Sequence, residues 1–512
     1  MRANRLHTLL GETFGGNALK ESAEAIVAKI ADESPPERRA EEPRNRLANG
    51  LHISSQRGPY PGEFPSGRKR QLRVESRKVP QARCARWAVG EGARMKVLNE
   101  RLMEEMLEPE NLRAAWRAVK ANHGASGMDG ISIEAFEEHI RPHWDTVKVK
   151  ILEGRYRPAA VKRVYIAKSN GGERPLGIPT VLDRVLQQAL LQVMQPHFEP
   201  HFSEHSYGFR PGRSAHDAVK AAQRFIGSGK DWVVDIDLKS FFDKVNHDLL
   251  MYRVAQVIRD KRMLRLIGRY LRAGVYENGK VTVTTCGVPQ GGPLSPLLAN
   301  IYLDPLDKEL ESRGLSFCRY ADDCNIYVGS RKAAERVFTS VVAWIERYLK
   351  VPVNRDKSDS GRPWDRQFLG YQPTEEGELR PSPKALERLK NEVRVRFSGR
   401  TNQTSNELRD SWKQYIRGWC NYYALANERF WRKDLSGWIR RHIRKCFWLR
   451  WHSVRGRKRN LRKLGVQPGQ LRRCPMHGSA WPMAKHPAMH KALNNKTLKQ
   501  YGFLVPSDYA AK

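Results

Sequence analysis

The chain predicts an α+β fold, with antiparallel sheet in its front and middle parts and helices towards its end. Three observations carry this. Residues 317–328 read Phe-Cys-Arg-Tyr-Ala-Asp-Asp-Cys-Asn-Ile-Tyr-Val, two short apolar runs around a pair of acids, the pattern of strand, tight turn, strand. Residues 231–243 read Asp-Trp-Val-Val-Asp-Ile-Asp-Leu-Lys-Ser-Phe-Phe-Asp, a buried-type strand that ends in acids and runs into a helix. Beyond residue 384, aromatic and aliphatic residues recur at helical spacing, as in helices that bury one face.

Taken in order, residues 1–94 are expected to be weakly ordered. Glu33–Arg46 is rich in Pro and charge, and Gly58–Arg70 in Gly, Pro, Lys and Arg, so little apolar surface offsets the entropy of ordering. A short helix is expected over 16–31. From Val97 the spacing of Leu98, Leu102, Met106 and Leu107 is helical, with Pro109 closing the segment and Leu112–Lys120 repeating the pattern. Residues 122–130 form a Gly-rich loop. Val161–Lys168 and Glu173–Ile178 are strands around the turn Ser169-Asn-Gly-Gly172. Val181–Gln195 is helical, and Ser214 is placed to cap a helix over Ala215–Phe225. Val281–Thr285 reads as a strand, Gly287–Pro293 as a loop, and Leu294–Leu310 and Ser330–Leu349 as helices.

Helices follow over 384–396 and 407–450. Trp412, Tyr415, Ile416, Trp419, Tyr422 and Tyr423 form a stripe read as core, which leaves Lys413, Arg417 and Arg432 on other faces. Arg455-Gly-Arg-Lys-Arg459 opens a basic tail that is expected to bind nucleic acid, and its loss is expected to weaken that binding more than catalysis.

The 512 residues carry 91 Lys and Arg against 55 Asp and Glu, a net charge of +36, which favours polyanionic partners. The excess is uneven: residues 401–512 hold 24 basic and 5 acidic residues, and none of the acids lies between Asp434 and Asp508. Seven scattered cysteines with no Cys-x-x-Cys argue against a disulfide framework and for a reducing cytoplasm. No apolar run is long enough to span a membrane, and the N-terminus lacks a signal-peptide core.

The paired acids carry the chemistry. Asp322 and Asp323 repel one another, and burying both is costly unless a cation joins them. Mg²⁺ prefers hard oxygen ligands shared between carboxylates and substrate phosphates, so the hairpin suggests metal-dependent phosphoryl transfer; a solvent-exposed turn fits the same residues. A two-metal site needs carboxylates from separate elements, and Asp237 supplies the third. Asp235 shares a strand face with Asp237 and is either a supporting acid or a plain strand-end acid.

The combination of Asp237 with Tyr320-Ala321-Asp322-Asp323 resembles the palm of a reverse transcriptase. Asn122–Ile131 (NHGASGMDGI), Arg174–Arg184 (RPLGIPTVLDR), Ser206–Ser214 (SYGFRPGRS), Gly287–Asn300 (GVPQGGPLSPLLAN), Phe368–Tyr371 (FLGY) and Arg417–Tyr423 (RGWCNYY) narrow the resemblance to bacterial group II intron-encoded reverse transcriptase/maturases. It covers roughly residues 95–505 and keeps the family's motif order. The resemblance implies a right-hand polymerase: an N-terminal extension and fingers over 95–229, a palm over 230–375, a thumb/maturase domain over 376–450 and a basic tail over 451–512. The stretch Trp481–Phe503 resembles the tail of endonuclease-free members, and the chain ends at Lys512 without room for a further nuclease.

It also implies roles. Asp237, Asp322 and Asp323 would bind two Mg²⁺ ions for RNA-directed DNA synthesis. Lys168 and Arg174 flank one fingers turn, where two cations suit a triphosphate, although a solvated basic hairpin fits them too. Phe242 would be the steric gate under the sugar, with Phe241 pointing elsewhere; both also read as core phenylalanines. Gln290 lies among residues small enough for a base pair to approach. Lys357 would lie near the incoming nucleotide or be plain surface charge, and Tyr320 would support the primer end.

The implied partners are group II intron RNA, an RNA template, a DNA primer or target and dNTPs. The place implied is the cytoplasm, with nucleoid association during mobility. Two other readings stand beside this: a stand-alone reverse transcriptase of retron, CRISPR-associated or repair type, and an RNA-binding splicing factor without polymerase activity. Cys474, His477, His486 and His490 are zinc-type ligands, but their spacing matches no common zinc pattern.

Overall fold

The computed structural model describes residues 101–167, 173–399 and 402–509. The expectations for residues 1–94, the helix over 16–31, Lys168 and the turn 169–172 lie outside the described residues.

Leu102–Met106 and Pro109–Ala121 are separate helices, and Pro109 opens the second instead of only closing the first. Proline suits that first turn because its missing N–H has no helical partner there. Two strands, β1 (Val161–Ala167) and β2 (Glu173–Ile178), pair antiparallel from Lys162↔Ile178 to Ala167↔Glu173. Helix Val181–Phe198 follows, with the Thr180 hydroxyl accepting from Asp183 N. Ser214 and Asp217 form a full capping box on Ala215–Gly227.

Next come β3 (Trp232–Asp237), β4 (Val275–Glu277) and β5 (Lys280–Thr282). β4 runs parallel to β1 through Val161↔Val275, so the first sheet, ordered β2-β1-β4-β5, adds one parallel pair to its antiparallel ones. The chain reaches β4 through helix Lys261–Leu271, and a crossover of this kind permits parallel pairing. The strand expected over Val281–Thr285 stops at Thr282; Val283 is 71% exposed, and being β-branched does not suffice without a neighbouring strand.

Helix Ser295–Ser312 leads into β6 (Ser316–Tyr320), β7 (Asp323–Val328) and, after helix Arg331–Trp344, β8 (Asp359–Gly361). These strands and β3 form the central sheet in the order β6-β7-β3-β8, antiparallel throughout. A small pair, β9 (Tyr371–Pro373) and β10 (Leu379–Pro381), leads into the helical part.

Helices Pro383–Arg396, Ser405–Tyr422 and Arg432–Arg450 bury Leu389, Ile439, Ile443 and Trp448; of the aromatic stripe, Trp412, Ile416 and Tyr423 are buried, and Tyr415, Trp419 and Tyr422 pack partly buried against the same core. The segment after Arg450 is not a loose tail. Its short helices, from Val454–Lys463 to Asn495–Gln500, insert Leu461, Met489 and Leu498 into the same apolar cluster, and the stretch after them adds Phe503 and Val505. Trp412 Nε1 donates to Leu504 O at 2.7 Å, Trp448 Nε1 to Gly478 O at 3.1 Å and Arg444 Nε to Leu493 O at 2.9 Å. Beyond the nucleic-acid binding expected of it, this segment covers the core of the preceding helices.

Arg432 is corrected too. Its Nε donates to Pro506 O at 3.1 Å and its guanidinium pairs with Glu428, so it fastens the chain's end and does not face outward with Lys413 and Arg417. Cys474 is buried, and His486 Nδ1 accepts from Ala488 N at 3.2 Å as a helix cap. Among the described residues no helix is long and apolar enough to cross a membrane.

Candidate active site

The β6–β7 hairpin turns through two residues, Ala321 and Asp322, closed by the pair Tyr320↔Asp323. Ala321 takes φ +57°, a left-handed turn conformation uncommon for a residue with a Cβ. The loop carrying Gly208 presses against this turn. A Cβ on Gly208 would stand 2.3 Å from Ala321 N, so the approach requires glycine.

The antiparallel register then brings in the distant acid. Asp237, the last residue of β3, lies opposite Asp323, the first of β7. Directly opposed residues share a sheet face, and so do residues two apart on a strand, which sets Asp235, Asp237 and Asp323 on one side. Asp322 projects from the turn beside them. Burial, then the nearby Asp237 charge, holds the Asp322 carboxyl above its usual range, against the opposing charges of Arg174 and Arg319. Burial pushes Asp323 well up, with Asp235, Asp322 and Asp237 adding to it. Asp235 rises to about 6, mainly through burial and against Arg366.

This crowd of hard oxygen donors is the chemistry a divalent cation relieves. Among the described residues no three His, Cys, Asp or Glu side chains converge to hold a metal ion unaided. Magnesium sites in phosphoryl-transfer enzymes commonly take one or two carboxylates and complete their shell from substrate phosphates and water, so the donor set fits.

Asp237 is held from the side by residues 354–358. Asn354 N donates to Asp237 O and Asn354 Nδ2 to Asp237 Oδ2, both at 2.9 Å, while Asp237 N donates to Ser358 Oγ at 2.9 Å. Lys357 Nζ stands 3.7 Å from Asp237 Oδ2 and stays largely exposed, which puts its cation at the acids.

The remaining expected residues are joined by backbone contacts. Phe241 is buried, its ring 6.0 Å from that of Tyr302, while Phe242 is half-buried. Val288 N donates to Phe242 O at 2.6 Å, and Gly177 N to Gln290 O at 2.8 Å. The loop bearing half-buried Gln290 is thus tied to Phe242 on one side and, on the other, to β2, which carries the exposed Arg174. Gly291, at φ +122°, would set a Cβ 2.6 Å from Gly177 O, so this contact also needs glycine.

Asn354, Ser358, Asn300 and Arg319 do not stand out in the sequence. Asn354 and Ser358 flank Lys357 and are within reach of a local reading; Arg319 bonds to Ser206 and Asn300 to Gly208, 113 and 92 positions away in the chain.

A family model described as reverse transcriptase (RNA-dependent DNA polymerase) matches residues 166–373, and one described as group II intron, maturase-specific domain matches residues 386–465. The chain is 34% identical over 318 residues to protein YkfC of Escherichia coli strain K12, covering 54% of this chain and 83% of that protein. It is 40% identical over 223 residues to the group II intron-encoded protein LtrA of Lactococcus lactis subsp. cremoris, covering 43% of this chain and 36% of LtrA. An uncharacterized 91 kDa protein in the cob intron of Schizosaccharomyces pombe is 33% identical over 214 residues, 40% of this chain and 25% of that protein. The matched part is thus most of YkfC and about a third of LtrA.

Proposed function

The chain belongs to the group II intron-encoded reverse transcriptases that carry a maturase domain, and from that premise we propose that Asp237, Asp322 and Asp323 are its polymerase centre. Its enzymatic activity is RNA-directed DNA synthesis. The observation that carries the site assignment is the register Asp237↔Asp323, which joins acids from two separated segments at one hairpin tip.

The three carboxylates would hold two Mg²⁺ ions. Bound there, the ions supply Lewis acidity for the primer 3′-hydroxyl and neutralise charge on the triphosphate. The chain's own residues do the rest. Arg174 meets the triphosphate from the fingers, and Lys168 is assigned the same task. Lys357 offsets the charge of Asp237 and reaches the incoming nucleotide. Half-buried Phe242 presents its ring under the sugar and excludes a 2′-hydroxyl. Gln290 sits on a loop open to the nascent base pair, and Tyr320 supports the primer end.

The helical region binds the parent intron RNA and assists its splicing, since structured RNA is recognised mainly by shape and backbone, which suits a broad basic surface. With a DNA target as primer, the same protein supports mobility by target-primed reverse transcription, acting in the bacterial cytoplasm and on the nucleoid.

Primer extension with dNTPs on an RNA template tests the polymerase reading, and self-splicing of the flanking intron RNA with and without protein tests the maturase reading. Extension without any effect on splicing would favour a stand-alone polymerase; splicing assistance without extension would favour a pure splicing factor.

A further inference from the structure

The residue before the Tyr-Ala-Asp-Asp turn is a fully buried arginine. Arg319 and Asp307 have side chains 1% and 0% exposed, at the centre of the sheet–helix interface. Arg319 Nε donates to Asp307 Oδ1 at 2.6 Å, and Nη2 to Asp307 Oδ2 at 2.5 Å and Ser206 Oγ at 2.7 Å. Nη1 donates to Asn300 Oδ1 at 3.1 Å and to Ala321 O at 2.9 Å. A guanidinium has five N–H donors, and these contacts account for all of them.

The partners come from three segments that meet at the site. Asp307 and Asn300 lie on helix Ser295–Ser312, which follows the Gln290 loop. Ser206 belongs to the loop that presses Gly208 on the turn, and Asn300 Nδ2 donates to Gly208 O at 2.9 Å. The backbone joins in, with Arg319 N donating to His205 O at 2.9 Å and Tyr207 N to Arg319 O at 2.8 Å. The last partner, the carbonyl of Ala321, belongs to the left-handed residue that aims Asp322 out of the sheet.

A buried ion pair is weak as a source of stability, since well-packed apolar residues often replace one at no loss. What apolar residues lack is a fork that holds one carbonyl at a set position. We infer that Arg319 is a positioning residue for polymerisation: clamped by Asp307, Asn300 and Ser206, its guanidinium fixes the Ala321 carbonyl and thereby the direction in which Asp322 is presented. This rests on the polymerase reading above and adds to it a group that touches neither primer nor nucleotide.

Arg319→Lys is the sharpest test. Lysine keeps a cation opposite Asp307 but is a point charge without the fork that spans Asp307, Ser206 and Ala321 together. Single-nucleotide extension on saturating primer–template is expected to lose about 10- to 100-fold in kcat, the scale of a small misplacement of reacting groups. Primer–template affinity and dNTP KM should stay near wild type, with kcat taken per active site titrated by primer–template binding, because loss of folded protein lowers the total rate without moving KM. Amide hydrogen exchange over 320–323 should become faster while the central sheet stays protected.

Wild-type kcat, or wild-type exchange in the turn, overturns the inference. If Arg319→Lys does not fold, Ser206→Ala and Asn300→Ser each remove one clamp while leaving the ion pair; wild-type kcat in both overturns it equally. Failure of the unaltered chain to extend any primer counts against the polymerase reading alone, because the exchange comparison still decides whether Arg319 anchors the turn.

Discussion

The hairpin tip and the helical region after residue 383 use charge in opposite ways. At the tip, four acids, Asp235, Asp237, Asp322 and Asp323, crowd a small and largely buried space, and burial with mutual repulsion holds three of them above their usual range. Asp237 has its own dedicated partner, Asn354 Nδ2 at 2.9 Å. In the helical region the charge is positive, spread over many exposed side chains, and laid over a core of Trp412, Trp448, Met489 and Phe503. Charge built to a point fails when one group is removed. Charge spread over a surface declines by increments, and what fails all at once there is the core beneath it.

The largest effect is expected from Asp322→Ala. Losing one carboxylate of the centre should lower primer extension by about 10²- to 10³-fold or more, the scale for a group that stabilises transition-state charge. Splicing assistance should persist, because it rests on binding. Both are measured on the same preparation. Extension at the wild-type rate would remove Asp322 from the centre, and loss of both activities would mean that the hairpin supports the whole fold.

Next comes the core of the helical region. Trp412 is fully buried and donates to Leu504 O at 2.7 Å, so Trp412→Ala removes both the packing and the bond that fastens the chain's end. A cost of about 3–5 kcal/mol is expected, read as a fall in the thermal midpoint, with intron-RNA binding lost as the region unfolds. Removing residues 451–512 should act in the same way, since it strips Leu461, Phe503 and Val505 from the shared core. A deletion protein that kept the wild-type midpoint would return this segment to the status of a separable tail and weaken the contrast between the two regions.

How much of the molecule is legible in its sequence follows from the range of each signal. The acid-tipped hairpin and β3 are visible because strand patterning and turn chemistry are local. The aromatic stripe at Trp412 and Ile416 is visible for the same reason. Asp237 is singled out because a two-metal site needs a carboxylate from a second element, and the motif resemblance supports that choice, but nothing local to residue 237 encodes its register with residue 323. Arg319 passes as an ordinary strand residue: its partner Ser206 lies 113 positions away, and such a pair leaves no periodic trace. The parallel pairing of β1 with β4 is equally non-local. After residue 450 the charge is almost all basic, 13 Lys and Arg against the single acid Asp508, and the apolar positions fall on short helices and the loops between them, so charge conceals a core.

Phe242→Ala separates the site from the packing around it. Phe242 is half-buried, whereas Phe241 is 1% exposed against Tyr302. Removing the Phe242 ring should shift the ratio of rNTP to dNTP incorporation upward by about tenfold or more, within the range that pocket shape alone can give. Phe241→Ala should instead cost about 3–5 kcal/mol of stability and leave the sugar preference alone. An unchanged ratio in Phe242→Ala places the gate on another residue.

The smallest effect per residue belongs to the distributed charge. Arg455, Lys458, Arg459 and Arg462 are exposed on helix Val454–Lys463, while Leu461 of the same helix is buried. Replacing the four with Gln leaves Leu461 and the core in place, so it tests charge without the damage a deletion would bring. Neutralised phosphates release counterions, so each phosphate that is no longer neutralised should flatten the dependence of log affinity on log salt by about 0.7–0.9. Four such phosphates would flatten it by about 3, and Lys458→Gln alone would change it by less than about one. Short extension on bound primer–template should persist at low salt, because the substituted helix carries none of the acids at the hairpin tip. The measurement is a salt titration of affinity for intron RNA and for primer–template, wild type beside variant. If the quadruple variant kept the wild-type slope for both, this helix would not meet the phosphate backbone, and the distributed surface would have to lie elsewhere among the basic residues of the helical region.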